Sequence, residues 1–242
     1  NRRNGDLKLY EFGNCYFYDE AKRSEADRLA PYSEEYRLAI AVTGAAVPQS
    51  WNAKPQASSF FTLRAVAEKL LRRFGLDIYA LKCDPLQSDL FGEALTMALN
   101  GRELLQMGVV APRIRRAFDL KQEVYYLEMN FDALVKSTRK HRIAFEELSK
   151  FPEVKRDLAL LVDRQVTFAQ LRAIALATER KLLKSVSLFD VYEGDKLPEG
   201  KKSYALSFVL EDKSQTLTDK AIERVMNNLQ AQFERQAGAV VR

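Results

Sequence analysis

The pattern of apolar positions is most regular in the second half of the chain. Buried-type runs over 156–162, 186–192, 203–210 and 239–241 predict strands, and helix-spaced apolar stripes lie between them. The order of these elements is β-α-β-β-α-β, which is the ferredoxin-like arrangement of two helices on one face of an antiparallel sheet. The stripes are Phe168, Leu171, Ile174, Ala175 and Thr178 in one helix, and Ile222, Val225, Met226, Leu229 and Phe233 in the other.

Polar residues mark the ends of these two helices. Thr167 is placed to cap the first helix, and Thr216 with Asp219 has near-capping-box spacing before the second. Gly238 ends the second helix. Both signals strengthen the helix predictions independently of the apolar stripes.

The first half mixes strands with one or two packed helices. Asn100-Gly101 is the strongest hairpin signal in the chain, and Gly13-Asn14 predicts a turn or bulge within an alternating stretch. A long amphipathic helix ends at Gly75. The predicted strands are 7–12, 15–18, 37–43, 94–99, 103–110 and 124–131, and the predicted helices are 60–74 and 112–118.

Length and composition indicate a globular chain of two domains. The 242 residues are 47% hydrophobic, which is enough for real cores. No apolar run approaches the roughly 20 residues of a membrane helix, and we expect no signal peptide. Because the chain starts at Asn1 without a methionine, we expect a fragment of a larger protein. The formal charge of +5 permits RNA contact without establishing it.

Cysteine and histidine are too few to indicate a metal centre. Cys15, Cys83 and His141 have no metal-ligand spacing, so the sequence predicts no zinc-type site, while a carboxylate-only magnesium site stays open. We interpret the cysteines as buried small hydrophobic residues in a reducing cytosol. A nucleophilic Cys-His pair has nothing else in its favour.

One face of the second predicted sheet carries side chains suited to a nucleobase. Residues two apart in a strand share a face, so Asp190 and Tyr192 lie on one side, and Phe189 and Val191 on the other. If 193–202 form the hairpin loop, Tyr192 pairs with Ser203. An aromatic ring, a carboxylate and a hydroxyl then meet on an uncovered surface. The alternative is that they are ordinary cross-strand surface residues.

Four segments of the second half resemble the ferredoxin-fold anticodon-binding domain of the bacterial phenylalanyl-tRNA synthetase beta subunit. They are FPEVKRDLALLV, SLFDVYEG, GKKSYALSF and TLTDKAIERV. NRRNGDLKLYEFGNCYF and LLQMGVVAPRIRRAFDLKQEVYYLEMNFDAL resemble that subunit's catalytic-like module. The expected fold class is therefore α+β, with a non-catalytic class II synthetase-like antiparallel module over 1–145 and the ferredoxin-like domain over 151–242. Ala111 departs from the histidine that the family often has before the proline.

The resemblance implies the C-terminal part of a subunit whose enzyme is an (αβ)2 heterotetramer in the cytoplasm. That enzyme joins phenylalanine to tRNA(Phe) with ATP and Mg²⁺, and its active site lies in the alpha subunit. We therefore expect no catalytic residue, metal or cofactor site in this chain and no activity from it alone. The editing and magnesium-binding regions are expected upstream of Asn1.

The resemblance also assigns roles to the open face. Phenylalanine tRNA normally presents guanine first in its anticodon, and a carboxylate accepts both donors of guanine's Watson–Crick edge. Asp190 would select the base, Tyr192 would stack on it, and Ser203 would add a hydrogen bond. Arg156, Lys201 and Lys202 are candidate phosphate contacts, although lysines of a hairpin loop are often only solvated.

Two further features are open to more than one interpretation. The basic stretch 136–142 (KSTRKHR) is expected to be a solvated linker or helix end, with RNA backbone contact as the alternative. Trp51 is expected to cap its own domain's core, with packing on the alpha subunit or tRNA as the alternative.

The rival functions differ in what the sequence must contain. A protein-interaction module with an open ferredoxin-like sheet is the main rival, and salt dependence of RNA binding discriminates it. An acylphosphatase-like hydrolase lacks support from any phosphate-cradling glycine loop or nucleophile–base pair, and a metal chaperone of this fold would want a CxxC.

Overall fold

A computed structural model describes residues 4–139, 141–142, 144–145 and 147–242. The chain divides into two compact units, Asn1–Ala144 and Phe145–Arg242. None of the helices in the described ranges is long and apolar enough to cross a membrane.

The first unit is built on an antiparallel sheet with the strand order β1-β2-β8-β7-β6-β5. Its strands are β1 (Leu7–Tyr18), β2 (Tyr32–Thr43), β5 (Lys82–Pro85), β6 (Phe91–Leu99), β7 (Arg102–Val110) and β8 (Val124–Asn130), with a short separate pair β3 (Ala45–Val47) and β4 (Gln56–Ala57). Its helices are α1 (Phe60–Arg73), α2 (Pro112–Ala117) and α3 (Phe131–Thr138).

Helices α1 and α3 cover one face of this sheet. Leu63, Ala67 and Leu71 of α1 pack with Leu134 of α3 against the sheet, and all four are buried. The sheet residues that they meet are Leu38, Val42, Met97, Leu105, Met107, Leu127 and Met129. Burying these side chains supplies the main stabilisation of the unit, at about 1.5–3 kcal/mol for each large apolar residue.

Local signals in the sequence account for the boundaries of several elements. Ser59 caps α1 in a reciprocal capping box with Thr62. Asn100 and Gly101 both have positive φ values of 51° and 77°, so the predicted hairpin between β6 and β7 is confirmed. The helix predicted over 60–74 and the one predicted over 112–118 are also confirmed, to within one residue at their ends.

Several expectations for the first unit are wrong. Gly13-Asn14 does not interrupt its strand, because β1 keeps continuous antiparallel register with β2 from Leu7↔Thr43 to Tyr18↔Tyr32. Strands β3, β4 and β5 were not expected. Helix α3 was also missed, because only its Asn130 cap, which accepts a hydrogen bond from the Ala133 amide, separates it from the preceding strand.

Other expectations fail on burial. Trp51 does not cap a core, since it is 97% exposed in a loop. Cys83 is exposed and Cys15 half-buried, so neither is a buried hydrophobic residue. In the basic stretch 136–142, the first three residues end α3, and Lys140 lies outside the described residues.

The second unit has a four-stranded antiparallel sheet in its described residues, in the order β10-β11-β9-β12. The strands are β9 (Val154–Asp163), β10 (Leu183–Tyr192), β11 (Lys201–Leu210) and β12 (Val240–Val241), and the helices are α4 (Phe168–Thr178) and α5 (Asp219–Ala237). The chain order is therefore β-α-β-β-α-β, which confirms the predicted ferredoxin-like arrangement.

Both helices of this unit pack on the same side of its sheet. Leu171 and Ala175 of α4 and Leu229 and Phe233 of α5 are buried against the strands. Thr167 caps α4 in a capping box with Gln170, as predicted. The cap of α5 is Thr218 rather than Thr216, since the Thr218 hydroxyl accepts from the Ala221 amide at 3.3 Å.

Candidate nucleic-acid interface

The helices of the second unit leave one face of its sheet without a covering element among the residues described for that unit. On β11, the helix-side residues are Tyr204, Leu206, Phe208 and Leu210. Alternate residues point the other way. We call that other side the open face, and on β11 its residues are Ser203, Ala205, Ser207 and Val209.

Strand pairing brings the three predicted base-binding residues together on the open face. Tyr192 is the direct cross-strand partner of Ser203, as predicted, and Asp190 is that of Ala205. Directly opposed residues have Cβ atoms about 4.5–5.5 Å apart. The phenol ring, the carboxylate and the hydroxyl therefore share one small area of sheet.

Two of the three polar groups of this area, those of Asp190 and Tyr192, are exposed to a ligand. Asp190 is exposed and Tyr192 is 40% exposed, whereas Ser203 is 9% exposed between its neighbouring strands. Within the described ranges, no residue forms a hydrogen bond or ion pair with the Asp190 carboxylate or the Tyr192 hydroxyl. Many charged groups of the unit are paired within it. The Asp190 carboxylate and the Tyr192 hydroxyl are not, so they are free to bind an external partner.

A β-bulge changes the predicted position of Phe189. Leu188 pairs with Leu206 and Asp190 with Ala205, so Phe189 is an extra residue with no partner on β11. Its ring lies 6.0 Å from the ammonium of Lys155, which is opposite Val209 and so belongs to the open face. The expectation that Phe189 shares a face with Val191 is therefore wrong.

The sequence contains a signal for this bulge that simple alternation overlooks. Val186 and Leu188 pair with helix-side residues of β11, and so does Val191, three residues further on. An apolar spacing that changes from two to three indicates one inserted residue. Phe189 and Lys155 are thus open-face residues that sequence reasoning missed.

The ring of Tyr192 is positioned by the loop that follows it. A Cβ atom on Gly194 would lie 2.6 Å from the Tyr192 hydroxyl and 2.7 Å from its Cζ, so the ring passes directly over this glycine. Arg164 holds the loop by donating from Nε at 3.2 Å and from Nη2 at 2.9 Å to Glu193 Oε2. Gly194 therefore makes room for the ring, a role that no sequence motif indicated.

The three candidate phosphate contacts are not brought together. Lys201 shares the open face, but its ammonium lies 2.7 Å from the Asp163 carboxylate. Lys202 is on the helix side, 8% exposed, with its ammonium 4.6 Å from the centre of the Tyr204 ring. Arg156 is opposite the helix-side residue Phe208, and its guanidinium donates to the Lys155 carbonyl at 2.9 Å.

An ion network at the opposite end of the sheet from Tyr192 and Ser203 shows how other charges of the second unit are satisfied. The Lys184 ammonium lies 2.9 Å from Glu211 Oε2 and also bonds Glu153. The hydrogen bond from Lys184 lowers the pKa of Glu211, and the hydrogen bonds to Glu153 and Glu211 raise the pKa of Lys184. These charges compensate one another, which is typical of a structural role.

The charge of Arg37 in the first unit is likewise paired with neighbouring carboxylates. Its guanidinium donates to Glu35 at 2.7 Å and to Glu128, and it lies 5.2 Å from the Phe17 ring centre. Burial lowers the pKa of Arg37, but the hydrogen bonds to Glu128 and Glu35 outweigh it and raise the pKa. In the part of the chain that the structure describes, no group of three or more His, Cys, Asp or Glu side chains is arranged to hold a metal ion.

The ferredoxin-like unit of this antiparallel α+β chain exposes aromatic and hydrogen-bonding side chains on its sheet, which are the side chains that single-stranded nucleic-acid binders use. Residues 149–242 match the family model of the ferredoxin-fold anticodon binding domain. Residues 1–131, more than half of the chain, match that of the phenylalanyl tRNA synthetase beta chain CLM domain. The chain therefore belongs to the phenylalanyl tRNA synthetase beta chain family.

Individual relatives agree with this assignment. The phenylalanine–tRNA ligase beta subunit of Bacteroides fragilis is 48% identical over 243 residues, and that of Porphyromonas gingivalis is 40% identical over 242. Each match covers 100% of this chain and 30% of the relative, so the chain spans about a third of the length of these proteins. A solved pyrrolysyl tRNA synthetase of Desulfitobacterium hafniense matches 60% of this chain and 47% of its own at 12% identity, with a TM-score of 0.37 that is too low to support an argument.

Proposed function

We propose that this chain is a non-catalytic part of a phenylalanine–tRNA ligase beta subunit and that its second unit reads the tRNA(Phe) anticodon. The family assignment and the relatives support the first statement. The match to an anticodon-binding model supports the second. In the whole ligase, this recognition would select the tRNA that receives phenylalanine.

One observation carries the proposal more than any other. Tyr192 and Ser203 are direct strand partners, and the unpaired carboxylate of Asp190 lies beside them on the same face. A carboxylate accepts from both N1–H and the exocyclic amine of guanine, each charged hydrogen bond contributing about 1.5–3 kcal/mol. Cytosine and adenine present an acceptor in this region, which the carboxylate repels, so the arrangement favours guanine.

The Tyr192 ring would supply the stacking surface for that base. Base–aromatic stacking contributes about 1–3 kcal/mol per base and tolerates any sequence, so Tyr192 would give affinity while Asp190 gives selectivity. Ser203 can donate or accept at the edge of the ring. Of the predicted phosphate contacts we retain only Lys201, because it shares the open face with these residues.

We further propose that the first unit is a class II synthetase-like module, over about residues 1–145, that binds the alpha subunit of an (αβ)2 enzyme. Its edge strand β1 and its neighbour β2 expose an aromatic row on the helix side of the sheet. Among the described residues, β1 pairs only with β2, so its outer edge is open as well. The members of this row are Tyr10, Phe12, Tyr16, Tyr18, Tyr32 and Tyr36.

An aromatic surface of this kind suits a protein partner. Tyrosine and phenylalanine are enriched in the centres of protein interfaces, and large exposed apolar patches mark such interfaces. Five of the six rings already contact another ring of the row, with Phe12 stacked on Tyr36 at 5.9 Å and Tyr18 5.2 Å from Tyr32. Since their positions are fixed before binding, little side-chain entropy would be lost on association.

The cofactors of the whole ligase are expected at the alpha subunit. ATP and Mg²⁺ would act in the cytoplasmic αβ enzyme at the alpha subunit. We derive no catalytic step from this chain.

A salt-titrated anisotropy assay tests the anticodon proposal. The chain is titrated with a fluorescein-labelled anticodon stem-loop of tRNA(Phe) and with the same stem-loop carrying cytosine as the first anticodon base. We expect tighter binding of the guanine form and affinity that falls with salt. Equal affinity for both would contradict the base assignment, and no RNA binding would favour a protein-interaction module with an open sheet.

A further inference from the structure

The open face carries a second aromatic ring that the base site does not use. Phe189 is 58% exposed, and the bulge turns it away from the buried cluster of its unit. An exposed phenylalanine adds no core stabilisation, and a bulge disrupts the strand pairing locally. Bulges of this kind re-aim a side chain next to functional sites.

The ring lies within reach of the proposed base site. Phe189 and Tyr192 are three residues apart on one strand, which corresponds to about 10 Å along the strand at 3.3 Å per residue. Single-stranded RNA is bound with its bases splayed apart on separate aromatic side chains. Two rings on one strand therefore suit two neighbouring nucleotides of a loop.

The surroundings of Phe189 fit a nucleotide. The Lys155 ammonium, 6.0 Å from the ring centre, offers a positive charge to a phosphate beside a stacked base. Between the flanking strands, Ser207 is 2% exposed, and its hydroxyl has no hydrogen-bond partner among the described residues. A buried hydroxyl normally has a partner, but this oxygen has almost no exposed surface that a ligand could reach, so the case for a nucleotide rests on Phe189 and Lys155.

The same area also contains negative charge, which limits the role of phosphate attraction. Asp157 is the direct strand partner of Ser207, and Asp190 follows Phe189 in the chain. One lysine against two carboxylates does not make a basic patch. Binding at this place must therefore rest on stacking, with Lys155 contributing a single phosphate contact.

We propose that Phe189 and Lys155 form a second nucleotide subsite, in which Phe189 stacks the base next to the one held by Asp190 and Tyr192. This inference rests on the proposed anticodon function. The anticodon function assigns base recognition to Asp190, Tyr192 and Ser203. The subsite adds a further residue, Phe189, that contributes affinity without base selectivity. The ligand of the subsite is the anticodon-loop nucleotide next to the first anticodon base.

The first test removes the Phe189 ring. Phe189→Ala should weaken binding of the guanine stem-loop by about 5- to 150-fold, which corresponds to about 1–3 kcal/mol for one stacked base. The cytosine stem-loop should lose the same factor, because stacking does not read the base edge. Phe189→Trp should restore binding, and Phe118→Ala, which removes an exposed ring in the first unit, should leave it unchanged.

Abasic stem-loops locate the partner of the ring. One lacks the base on the 5′ side of the first anticodon position and the other lacks the base on its 3′ side. With one of the two, Phe189→Ala should cause no further loss, since ring and base act as a pair in a double-mutant cycle. An undiminished loss with both abasic probes would contradict the subsite.

Salt dependence tests the role of Lys155. Lys155→Ala should reduce the slope of log affinity against log salt by about 1, the expectation for one phosphate contact. Lys220→Ala, which removes the same charge from α5 on the other side of the sheet, should leave the slope unchanged. An unchanged slope in Lys155→Ala would remove this residue from the subsite.

The outcomes separate this inference from the function on which it rests. If the unmodified chain prefers guanine and Phe189→Ala binds as tightly as the unmodified chain, the subsite is wrong and the anticodon site stands. If the unmodified chain binds neither stem-loop, both are wrong. A variant that fails to fold is identified by its thermal melting, and Phe189→Leu then replaces Phe189→Ala.

Discussion

The two sheets of this protein expose aromatic side chains in contrasting ways. In the first unit, five of the six rings of the aromatic row contact another ring of the row, and Phe12 also lies 5.2 Å from Phe131, edge to face. On the open face of the second unit, Tyr192 and Phe189 stand apart, each next to polar groups. The Asp190 carboxylate, which bonds none of the described residues, lies between them on the strand.

This difference relates the arrangement of rings to the kind of partner. Rings that pack together form a continuous apolar surface, which favours another protein surface. Separated rings with free hydrogen-bonding groups offer a stacking surface and an edge reader, which suit splayed bases. The number of exposed aromatic residues is therefore less informative than whether they contact each other and whether the polar groups around them are already paired.

The largest effect is expected where an unpaired polar group reads a base edge. Asp190→Asn replaces one acceptor oxygen by a donor amide that faces a donor of guanine. We expect the preference for guanine over cytosine to fall by about 100-fold, which is about 2.7 kcal/mol and within the range of charged hydrogen bonds.

The anisotropy assay with both stem-loops measures this preference. Thermal melting should stay the same, because the Asp190 side chain makes no hydrogen bond or ion pair with any described residue. Asp157→Asn, on the same face, serves as the matched control and should keep the preference. An Asp190→Asn chain that still prefers guanine would remove this residue from base reading.

A smaller loss is expected when charge is placed in the aromatic row. Tyr16 is 76% exposed, and Tyr16→Asp would bury a carboxylate in an apolar interface. We expect affinity for the alpha subunit to fall about 30-fold or more, since interface hot spots contribute at least about 2 kcal/mol. Co-purification and a binding titration with the alpha subunit measure it, and stem-loop binding should not change.

Phe118→Asp is the control for this change, because Phe118 is exposed but lies outside the aromatic row. It should leave alpha-subunit binding as it is. Equal losses from both substitutions would indicate general surface damage, and no loss from Tyr16→Asp would contradict the assignment of the row to the alpha subunit.

The second unit could be predicted from its sequence further than the first. Its strands and helices each have a clear period, and the pairing of Tyr192 with Ser203 follows from one loop length. In the first unit, the predicted break at Gly13-Asn14 is absent because pairing with β2 determines the conformation of β1 along its whole length. Tertiary pairing thus overrides a local glycine signal.

The parts of the site that escaped prediction depend on non-local geometry. Phe189 reaches the open face only because β10 bulges against β11, and the role of Gly194 depends on where the Tyr192 ring lies. The burial of Lys202 depends on the ring of Tyr204 two residues along the strand. Residue types and their spacing therefore predicted that the second sheet has an open face. The register of β10 against β11 was needed to determine which side chains lie on it.

Adding one methyl group at Gly194 tests whether this glycine positions the Tyr192 ring. Gly194→Ala would place a Cβ 2.6 Å from the Tyr192 hydroxyl, so the ring must move, while the backbone at this glycine is outside the left-handed region. We expect about 5-fold weaker binding of the guanine stem-loop, as for a stack of about 1 kcal/mol, and little change in melting.

The double variant Tyr192→Ala/Gly194→Ala provides the control. If Gly194 acts through the ring, it should bind no more weakly than Tyr192→Ala alone. Additive losses would mean that the loop contacts RNA by itself. Gly13→Ala, where a Cβ would meet no atom within 4 Å, should be neutral in the same assay.

The smallest effect concerns charges that are already paired. Lys184 lowers the pKa of Glu211 below its ordinary value of 4.5, so the folded state binds this proton more weakly than the unfolded state does. The stabilisation by the ionised Glu211 carboxylate is fully present above pH 4.5 and is lost as the pH falls through the lowered pKa of the folded state.

Glu211→Gln should therefore lower the melting temperature slightly at pH 7 and flatten the decrease of the melting temperature in acid. Melting curves from pH 7 to pH 3 measure this, and RNA binding at pH 7 should stay unchanged, because Glu211 lies at the opposite end of the sheet from Tyr192 and Ser203 and is paired with Lys184. A loss of guanine preference in Glu211→Gln would contradict the distinction between paired and unpaired charges in this unit.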